Sequence, residues 1–155
     1  MNHSIGSTFY NDIQQLHHTK TSRQYFEDFK NYLRKSNPSY EIPNYTPAQI
    51  VLINGKAVYY VGSTVWWGIS VSAVNKCLEN THTPVYVILY ASDKGQKQEH
   101  YWLIEINQEL NGKRVVFTEN NGKLSASSEK DKVNIPGCSE DLNKILKIIT
   151  GDNSI

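Results

Sequence analysis

The segment Thr83-Pro84-Val85-Tyr86-Val87-Ile88-Leu89-Tyr90 contains the longest apolar run of the chain, and it decides the predicted fold. A run that is apolar on both faces is typical of a strand at the centre of a sheet. Before it come a strand-like segment, Tyr59 to Thr64, and a helical pattern, Val74 to Leu78. After it comes a second strand-like segment, His100 to Ile106. The order strand, crossover helix, strand, strand predicts a mixed sheet with helices packed on its faces.

Turn signals place further strands around this centre. Asn54-Gly55 predicts a two-residue hairpin that joins the apolar run before it to the strand after it. Asn111-Gly112 and Asn121-Gly122 predict two more hairpin turns, one on each side of a strand from Arg114 to Thr118. Residues 65–69 are predicted to form another strand, and residues 125–132 are predicted to be a polar, mobile connection.

Two helices are predicted in the first forty residues. Ser7 is suited to cap a short helix, and Thr21 with Gln24 resembles a capping box before a second one. Asn37-Pro38 ends the second helix, because the residue before proline is disfavoured in helical geometry.

Two later helices complete the predicted architecture. Ser70 or Ser72 is expected to cap the crossover helix, Ser139 to cap the last helix, and Gly151 to end it. We therefore predict one α/β (α+β) domain over residues 1–155, with a central mixed β-sheet, two N-terminal helices, a crossover helix and a C-terminal helix. Residues 1–38 form its helical part, and residues 49–150 form its core of sheet and helices.

Composition narrows the classes of function. The formal net charge of +1 gives no global field that would attract nucleic acid, although a local basic patch is compatible with it. The two cysteines, Cys77 and Cys138, are too few for a secreted disulfide scaffold. No segment has the length and apolarity of a membrane span, so we expect a cytoplasmic protein without a membrane partner.

Three short motifs carry a resemblance to a known family. They are Pro84-Val85 at the start of the central strand, Tyr101-Trp102 at the start of the next, and Ile135-Pro136 before the last helix. With the order of elements, they make residues 49–150 resemble the PD-(D/E)XK, or restriction-endonuclease-like, superfamily. The resemblance implies a metal-dependent nuclease fold that binds nucleic acid in a bacterial defence or mobile-element context.

The residues at the catalytic places of that family do not suit its chemistry. The resemblance places the metal-binding acid at Gln49, the second acid at Tyr60 and the lysine at Gly62. Such sites hold Mg²⁺ with carboxylates and activate a water against phosphate. Because this chain has an amide, a phenol and a glycine there, the resemblance implies a domain that has lost metal-dependent cleavage and keeps a binding role.

Two alternative readings keep a catalytic site. Glu27 and Lys56, together with Gln49, are candidates for a displaced site that would use Mg²⁺ as its cofactor. Residues 54–64 also resemble the second half of a GIY-YIG nuclease motif, in which Tyr60 would stand near the attacking water. The helix arginine of that motif is missing, because no arginine lies between Thr64 and Gly112.

Aromatic and basic residues supply the candidate binding surface. Trp66 and Trp67 are consecutive in a predicted strand, so their side chains are expected to point to opposite faces. The complete set of candidate binding residues is Trp66, Trp67, Tyr40, Tyr45, Lys94, Lys97 and Arg114. They suit either a nucleic acid or a protein partner.

A different class of function is also compatible with these features. A chain that is small, near-neutral and rich in tyrosine suits an immunity or inhibitor protein that acts by protein–protein binding. A homo-oligomer is compatible with both readings. Apart from Mg²⁺ in the nuclease reading, no cofactor or resident metal is expected.

Overall fold

The computed structural model describes residues 20–36, 39–46, 48–92 and 98–151 of the chain. These residues form three layers, in which a six-stranded sheet lies between a pair of helices and a three-stranded sheet with its own helix. We refer to the two sheets as the main sheet and the small sheet. The mixed main sheet, the crossover helix and the C-terminal helix confirm the predicted fold class. The first predicted helix, around Ser7, lies outside the described residues.

The main sheet contains six strands in the spatial order β1-β2-β3-β5-β6-β9. Their bounds are β1 Tyr40–Glu41, β2 Ile50–Ile53, β3 Lys56–Ser63, β5 Val85–Ala91, β6 His100–Ile106 and β9 Val133–Ser139. Only β3 and β5 pair in parallel, and the other neighbours are antiparallel. The apolar run therefore forms a central strand, as its pattern predicts.

The small sheet and the helices lie in chain segments outside the strands of the main sheet. The strands of the small sheet, in the order β4-β7-β8, are β4 Trp66–Ser70, β7 Arg114–Asn120 and β8 Lys123–Ala126. The helices are α1 Ser22–Ser36, α2 Val71–Thr81 and α3 Leu142–Thr150, and Lys130–Lys132 forms one turn of 3₁₀ helix. Strand β4 and helix α2 make the crossover from β3 to β5.

Local capping chemistry explains where the helices begin and end. Thr21 and Gln24 exchange the two hydrogen bonds of a capping box, at 2.8 and 3.2 Å. The Ser70 hydroxyl accepts a hydrogen bond from the Ala73 amide at 3.2 Å, so Ser70 is the cap of α2. The prediction that Ser139 caps the last helix is wrong. Because β9 runs through Ser139, the chain turns first, and Asp141 caps α3 through the Asn143 amide at 2.9 Å.

Two of the three predicted hairpins form. Asn54-Gly55 and Asn121-Gly122 have φ values of 52°, 78°, 54° and 78°, as a two-residue hairpin turn requires. Asn111-Gly112 is not a hairpin turn, because β6 and β7 belong to different sheets.

The predicted strand over residues 114–118 forms and extends to Asn120 as β7. Strand β7 pairs with β4 on one side and β8 on the other. The start of the predicted polar connection at 125–132 instead completes β8, whose inward positions are Leu124 and Ala126.

Each face of the main sheet has its own apolar core. On one face α1 and α3 pack through Phe29, Leu33 and Ile145. On the other face the small sheet and α2 pack through Trp67, Phe117 and other residues. Cys77, on α2, is fully buried there, as its place in the apolar pattern predicts. Among the helices that the structure describes, none combines the length and the apolar character needed to span a bilayer.

Candidate functional site

The positions that the resemblance assigns to catalysis lie on β3 and just before β2, under helix α1. Tyr60 is 4% exposed, and its ring stacks on Phe29 with centroids 4.2 Å apart and planes 7° apart. Burial raises the pKa of its phenol far above the ordinary value. With its amide oriented to satisfy its hydrogen bonds, Gln49 donates to the Ser22 and Tyr60 carbonyl oxygens at 3.1 and 3.3 Å. Both side chains are therefore engaged in holding α1 against the sheet.

Gly62 lies directly beneath Tyr25 of α1. A Cβ atom built at Gly62 would be 2.3 Å from Cγ of Tyr25 and 2.5 Å from its Cβ, far inside van der Waals contact. The glycine is needed because the aromatic side chain occupies the space where another residue would begin. The place that the nuclease family reserves for a lysine is filled by the helix.

The proposed substitute residues have other partners. Glu27, on α1, pairs with Lys30 at 2.8 Å, and this ammonium is the main cause of the lowered pKa of Glu27. Lys56 is the first residue of β3, and its Nζ donates to the Ile149 carbonyl oxygen at 2.8 Å. That contact satisfies a free carbonyl in the last turn of α3. The structure thus gives each residue a local structural role.

These positions do not fit Mg²⁺. Magnesium in proteins is held by carboxylate oxygens and water, and Gln49, Tyr60 and Gly62 offer no carboxylate. In residues 20–36, 39–46, 48–92 and 98–151, no three His, Cys, Asp or Glu side chains are grouped as metal ligands.

The candidate binding residues fall into different environments. Tyr40 packs at the margin of the core under α1. Tyr45 packs against the opposite core, where burial raises its pKa to about 12. Its hydroxyl is buried beside the Cys77 thiol of α2. Lys94 and Lys97 lie in 93–97, outside the described residues. Both tyrosines are half-buried.

The two adjacent tryptophans point to opposite faces of the small sheet, as their spacing predicts. Trp67 is 0% exposed, and its indole N–H donates to the Tyr90 carbonyl oxygen at 2.9 Å across the interface between the sheets. Trp66 is 49% exposed on the outer face. Trp67 is therefore a core residue, and Trp66 is the aromatic residue available to a ligand.

Arg114 and Trp66 meet above Gly68 on this outer face. A Cβ atom built at Gly68 would lie 3.1 Å from Cδ and 3.5 Å from Nη1 of Arg114, and 3.6 Å from Cη2 of Trp66. The arginine reaches this point from β7, where it pairs with Ser70 in register. Because Gly68 has no side chain, the side chains of Arg114 and Trp66 both reach the space above it.

A second polar cluster joins the two sheets near the ends of β6 and β9. The Glu119 carboxylate accepts hydrogen bonds from Trp102 Nε1 at 3.1 Å and from His100 Nε2 at 2.8 Å. The other ring nitrogen of His100 lies 3.0 Å from the Gln98 carbonyl oxygen. Since both nitrogens face oxygen acceptors, only the doubly protonated imidazolium donates to both.

This cluster borders a cleft of about 580 Å³ that also contains Cys138. The arrangement has the residue types of a cysteine–histidine–acid site, but its geometry does not support that chemistry. Both nitrogens of His100 are engaged with oxygens, so neither is free to take the thiol proton. Burial, followed by the charges of Glu119 and Glu140, raises the pKa of the Cys138 thiol, which is the opposite of nucleophile activation. We call His100, Trp102 and Glu119 the polar clamp, because their hydrogen bonds join the main sheet to the small sheet.

The clamp makes a testable contribution to stability. We expect His100→Ala to lower the free energy of unfolding by about 2 kcal/mol, because it leaves the Glu119 carboxylate, whose side chain is 6% exposed, with a single donor. Urea unfolding at neutral pH measures this loss. In a Glu119→Gln background the same substitution should cost about 1 kcal/mol less, because no charge is left unpaired. Equal losses in the two backgrounds would contradict the clamp.

A cluster of tyrosines lies on the opposite, helical face of the main sheet. Tyr90 packs between Tyr25 and Tyr101, with ring centroids 5.3 and 5.1 Å apart. Its hydroxyl donates to the Glu99 carboxylate at 2.7 Å. Tyr101 is half-buried, and burial followed by the charge of Glu99 raises its pKa to about 12. The margin of the helical layer is therefore aromatic and carries negative charge.

Comparison of the chain with protein-family models, curated proteins and solved structures gives no match. The candidate site must be judged on its own geometry.

The sequence indicated Trp66 and Arg114 as candidate binding residues, but not that both side chains lie over Gly68. The signal was present in the alternation of β4, where a glycine stands between two outward-facing positions. The cluster of His100, Trp102 and Glu119 carried no sequence signal, because Glu119 comes from a different sheet.

Proposed function

We propose that this chain is a restriction-endonuclease-like domain that does not cut nucleic acid and acts by binding. The layout supports this proposal. The antiparallel pair β2–β3, the crossover through α2 and the parallel strand β5 correspond to the order of elements that the resemblance calls for. The three motifs all stand in the main sheet, at the start of β5, at the start of β6 and within β9.

The proposed loss of cleavage is supported mainly by the packing of helix α1 on strand β3. Helix α1 places Tyr25 against Gly62 and Phe29 against Tyr60, so aromatic side chains fill the space over the strand that would present the lysine and the second acid. A phosphate and a hydrated cation need an open, polar pocket at that point. A buried, tightly packed aromatic layer excludes both, and a rotamer change alone does not open it, since the rings belong to the core under α1.

The proposal predicts that the chain has no metal-dependent nuclease activity. With Mg²⁺ or Mn²⁺, supercoiled plasmid and single-stranded circular DNA should be converted no faster than in a sample of heat-denatured protein. Glu27→Ala and Lys56→Ala should leave this background unchanged, as should the control Lys76→Ala on the exposed side of α2. Metal-dependent cleavage that disappears in Glu27→Ala or Lys56→Ala, but not in Lys76→Ala, would make the displaced active site correct.

A protein-binding role of the immunity or inhibitor class is the second candidate. The observation that favours it is the half-buried ring of Tyr101 beside Tyr90, whose hydroxyl is bound to the exposed carboxylate of Glu99. Exposed tyrosine edges with adjacent negative charge suit a basic protein surface. The two candidates differ in the charge of the ligand and in the face that binds it.

A further inference from the structure

We infer that the outer face of the small sheet is a binding site for unpaired, single-stranded nucleic acid. This inference rests on the proposed function, because it names the class of ligand that a non-cleaving binding domain would take. It assigns the site to the small sheet, which packs on the face of the main sheet opposite to the one covered by Tyr25 and Phe29.

The charge of this face is of one sign. Strand alternation and the register of β4, β7 and β8 put ten side-chain positions on it. The outward positions in the described strands are Trp66, Gly68, Ser70, Arg114, Val116, Thr118, Asn120, Lys123 and Ser125, with Ser127 following at the end of β8. Arg114 and Lys123 are the charged residues among them, and the described part of these strands presents no carboxylate on this side. The one acid of β7, Glu119, is turned inward to His100 and Trp102.

An anionic ligand is therefore favoured although the whole chain is close to neutral. The protein's charge of +1 supplies no long-range attraction, but a face with two cations, several hydroxyl groups and an amide offers local contacts for phosphate oxygens. Hydroxyls and amides are common donors to the phosphate and sugar of nucleic acids. A basic protein surface, in contrast, would be repelled by Arg114 and Lys123.

The exposed indole and the guanidinium define where a base would bind. Trp66 extends back over Gly68, and Arg114 covers the same glycine from the neighbouring strand. A nucleobase can stack on an aromatic ring or on a guanidinium plane, and such stacking is tolerant of sequence. Gly68 permits this arrangement, because a Cβ atom 3.1 Å from Arg114 Cδ would force the arginine to move.

The arrangement selects a single strand over a duplex. Arg114 and Asn120, the register partner of Lys123, are the first and last residues of β7, a separation of about 20 Å at the rise of a strand. Trp66 lies between them, opposite Thr118. The base faces of a duplex are stacked on one another and not available to an indole, whereas an unpaired strand can place its phosphates near both cations and one base on the ring.

Fluorescence anisotropy of a labelled oligothymidylate, titrated with the whole chain, tests this inference. We expect binding that weakens with salt, with a slope of log affinity against log salt of about −1.4, as two phosphate contacts to a single strand require. Trp66→Ala should weaken binding about tenfold or more, whereas Trp66→Phe should retain most of it, since a base stacks on either ring. A hairpin duplex of the same length should bind more weakly than the single strand.

Charge variants show whether binding depends on the cations of the outer face or on the overall charge of the protein. Arg114→Gln should reduce the salt slope to about −0.7, because one phosphate contact is lost. Lys76→Gln removes the same charge from the exposed side of α2 and should leave the slope and the affinity almost unchanged. Circular dichroism and the thermal midpoint verify that each variant is folded.

Several outcomes would overturn the inference. These are no binding at about 50 mM salt, equal affinity of Trp66→Ala and the unchanged protein, equal loss in Arg114→Gln and Lys76→Gln, or a preference for the duplex. Self-association through Trp66 in the absence of oligonucleotide, detected by light scattering, would also overturn it. Absence of binding together with absence of cleavage rejects this inference alone, whereas metal-dependent cleavage rejects the proposed function.

Discussion

Gly62→Ala is expected to lower the free energy of unfolding by about 3 kcal/mol, although it adds a single methyl group. The added Cβ would lie 2.3 Å from Cγ of Tyr25. Neither side of that contact can yield easily, because Gly62 belongs to the central pair β3–β5 and Tyr25 is held between the sheet and α1. Chemical unfolding followed by circular dichroism measures the loss.

A double-mutant cycle with Tyr25→Ala assigns the effect to this contact. Tyr25→Ala alone should cost about 3 kcal/mol through lost packing, and Gly62→Ala should then add almost nothing, because the space is open. Gly137→Ala is the matched control, since a Cβ built there meets no atom within 4 Å. Losses that simply add in the double mutant would contradict the position of α1 on which the proposed absence of cleavage depends.

The same contact bears on any attempt to build a metal site at the positions that the resemblance assigns to catalysis. A lysine at Gly62 would place its Cβ atom 2.3 Å from Cγ of Tyr25. Substitution of two acids and a lysine at Gln49, Tyr60 and Gly62 should therefore unfold the domain before it could create a metal site. The proposed absence of cleavage therefore rests on the packing of α1 as well as on the missing carboxylates.

Trp67→Ala should destabilise the protein by about 4 kcal/mol, while Trp66→Ala should change stability by less than about 0.5 kcal/mol. Trp67 is fully buried between the sheets, and its removal leaves a cavity and an unpaired Tyr90 carbonyl oxygen. Trp66 is half-exposed on the outer face. Chemical unfolding of both variants, with oligonucleotide binding of Trp66→Ala, measures the difference.

The two substitutions separate the structural role from the binding role. Trp67→Phe keeps most of the volume and removes the N–H group, so it should recover part of the stability that Trp67→Ala loses. A large loss of stability in Trp66→Ala would mean that its ring is packed, and a loss of binding in that variant could then not be assigned to stacking.

The predicted and observed folds agree where the signals are local. The apolar run Val85–Tyr90, the strand-like segment His100 to Ile106 and the Asn-Gly turns at 54–55 and 121–122 depend on neighbours within a few residues, and all of them appear in the structure. The prediction of a hairpin turn at Asn111-Gly112 failed, because it depends on which sheet each strand joins. That choice is made by long-range packing between strands far apart in the chain.

The candidate site divides in the same way. Spacing alone indicated that Trp66 and Trp67 face opposite ways, but not which of them would be covered. Residue types alone indicated that Gln49, Tyr60 and Gly62, the positions that the resemblance assigns to catalysis, do not suit metal-dependent cleavage. The packing of Tyr25 on Gly62 and of Phe29 on Tyr60 depended on where α1 lies on the sheet.

Residue types and their periods were sufficient to predict the strands, most of the turns and caps, the crossover helix and the lack of carboxylates at Gln49, Tyr60 and Gly62, the positions that the resemblance assigns to catalysis. Only the tertiary structure separated a second sheet from the first, put Trp66 and Arg114 together over Gly68, and buried Trp67. The physical reason is that periodicity reports which side of an element is apolar, whereas the identity of the layer that covers that side depends on contacts between residues distant in sequence.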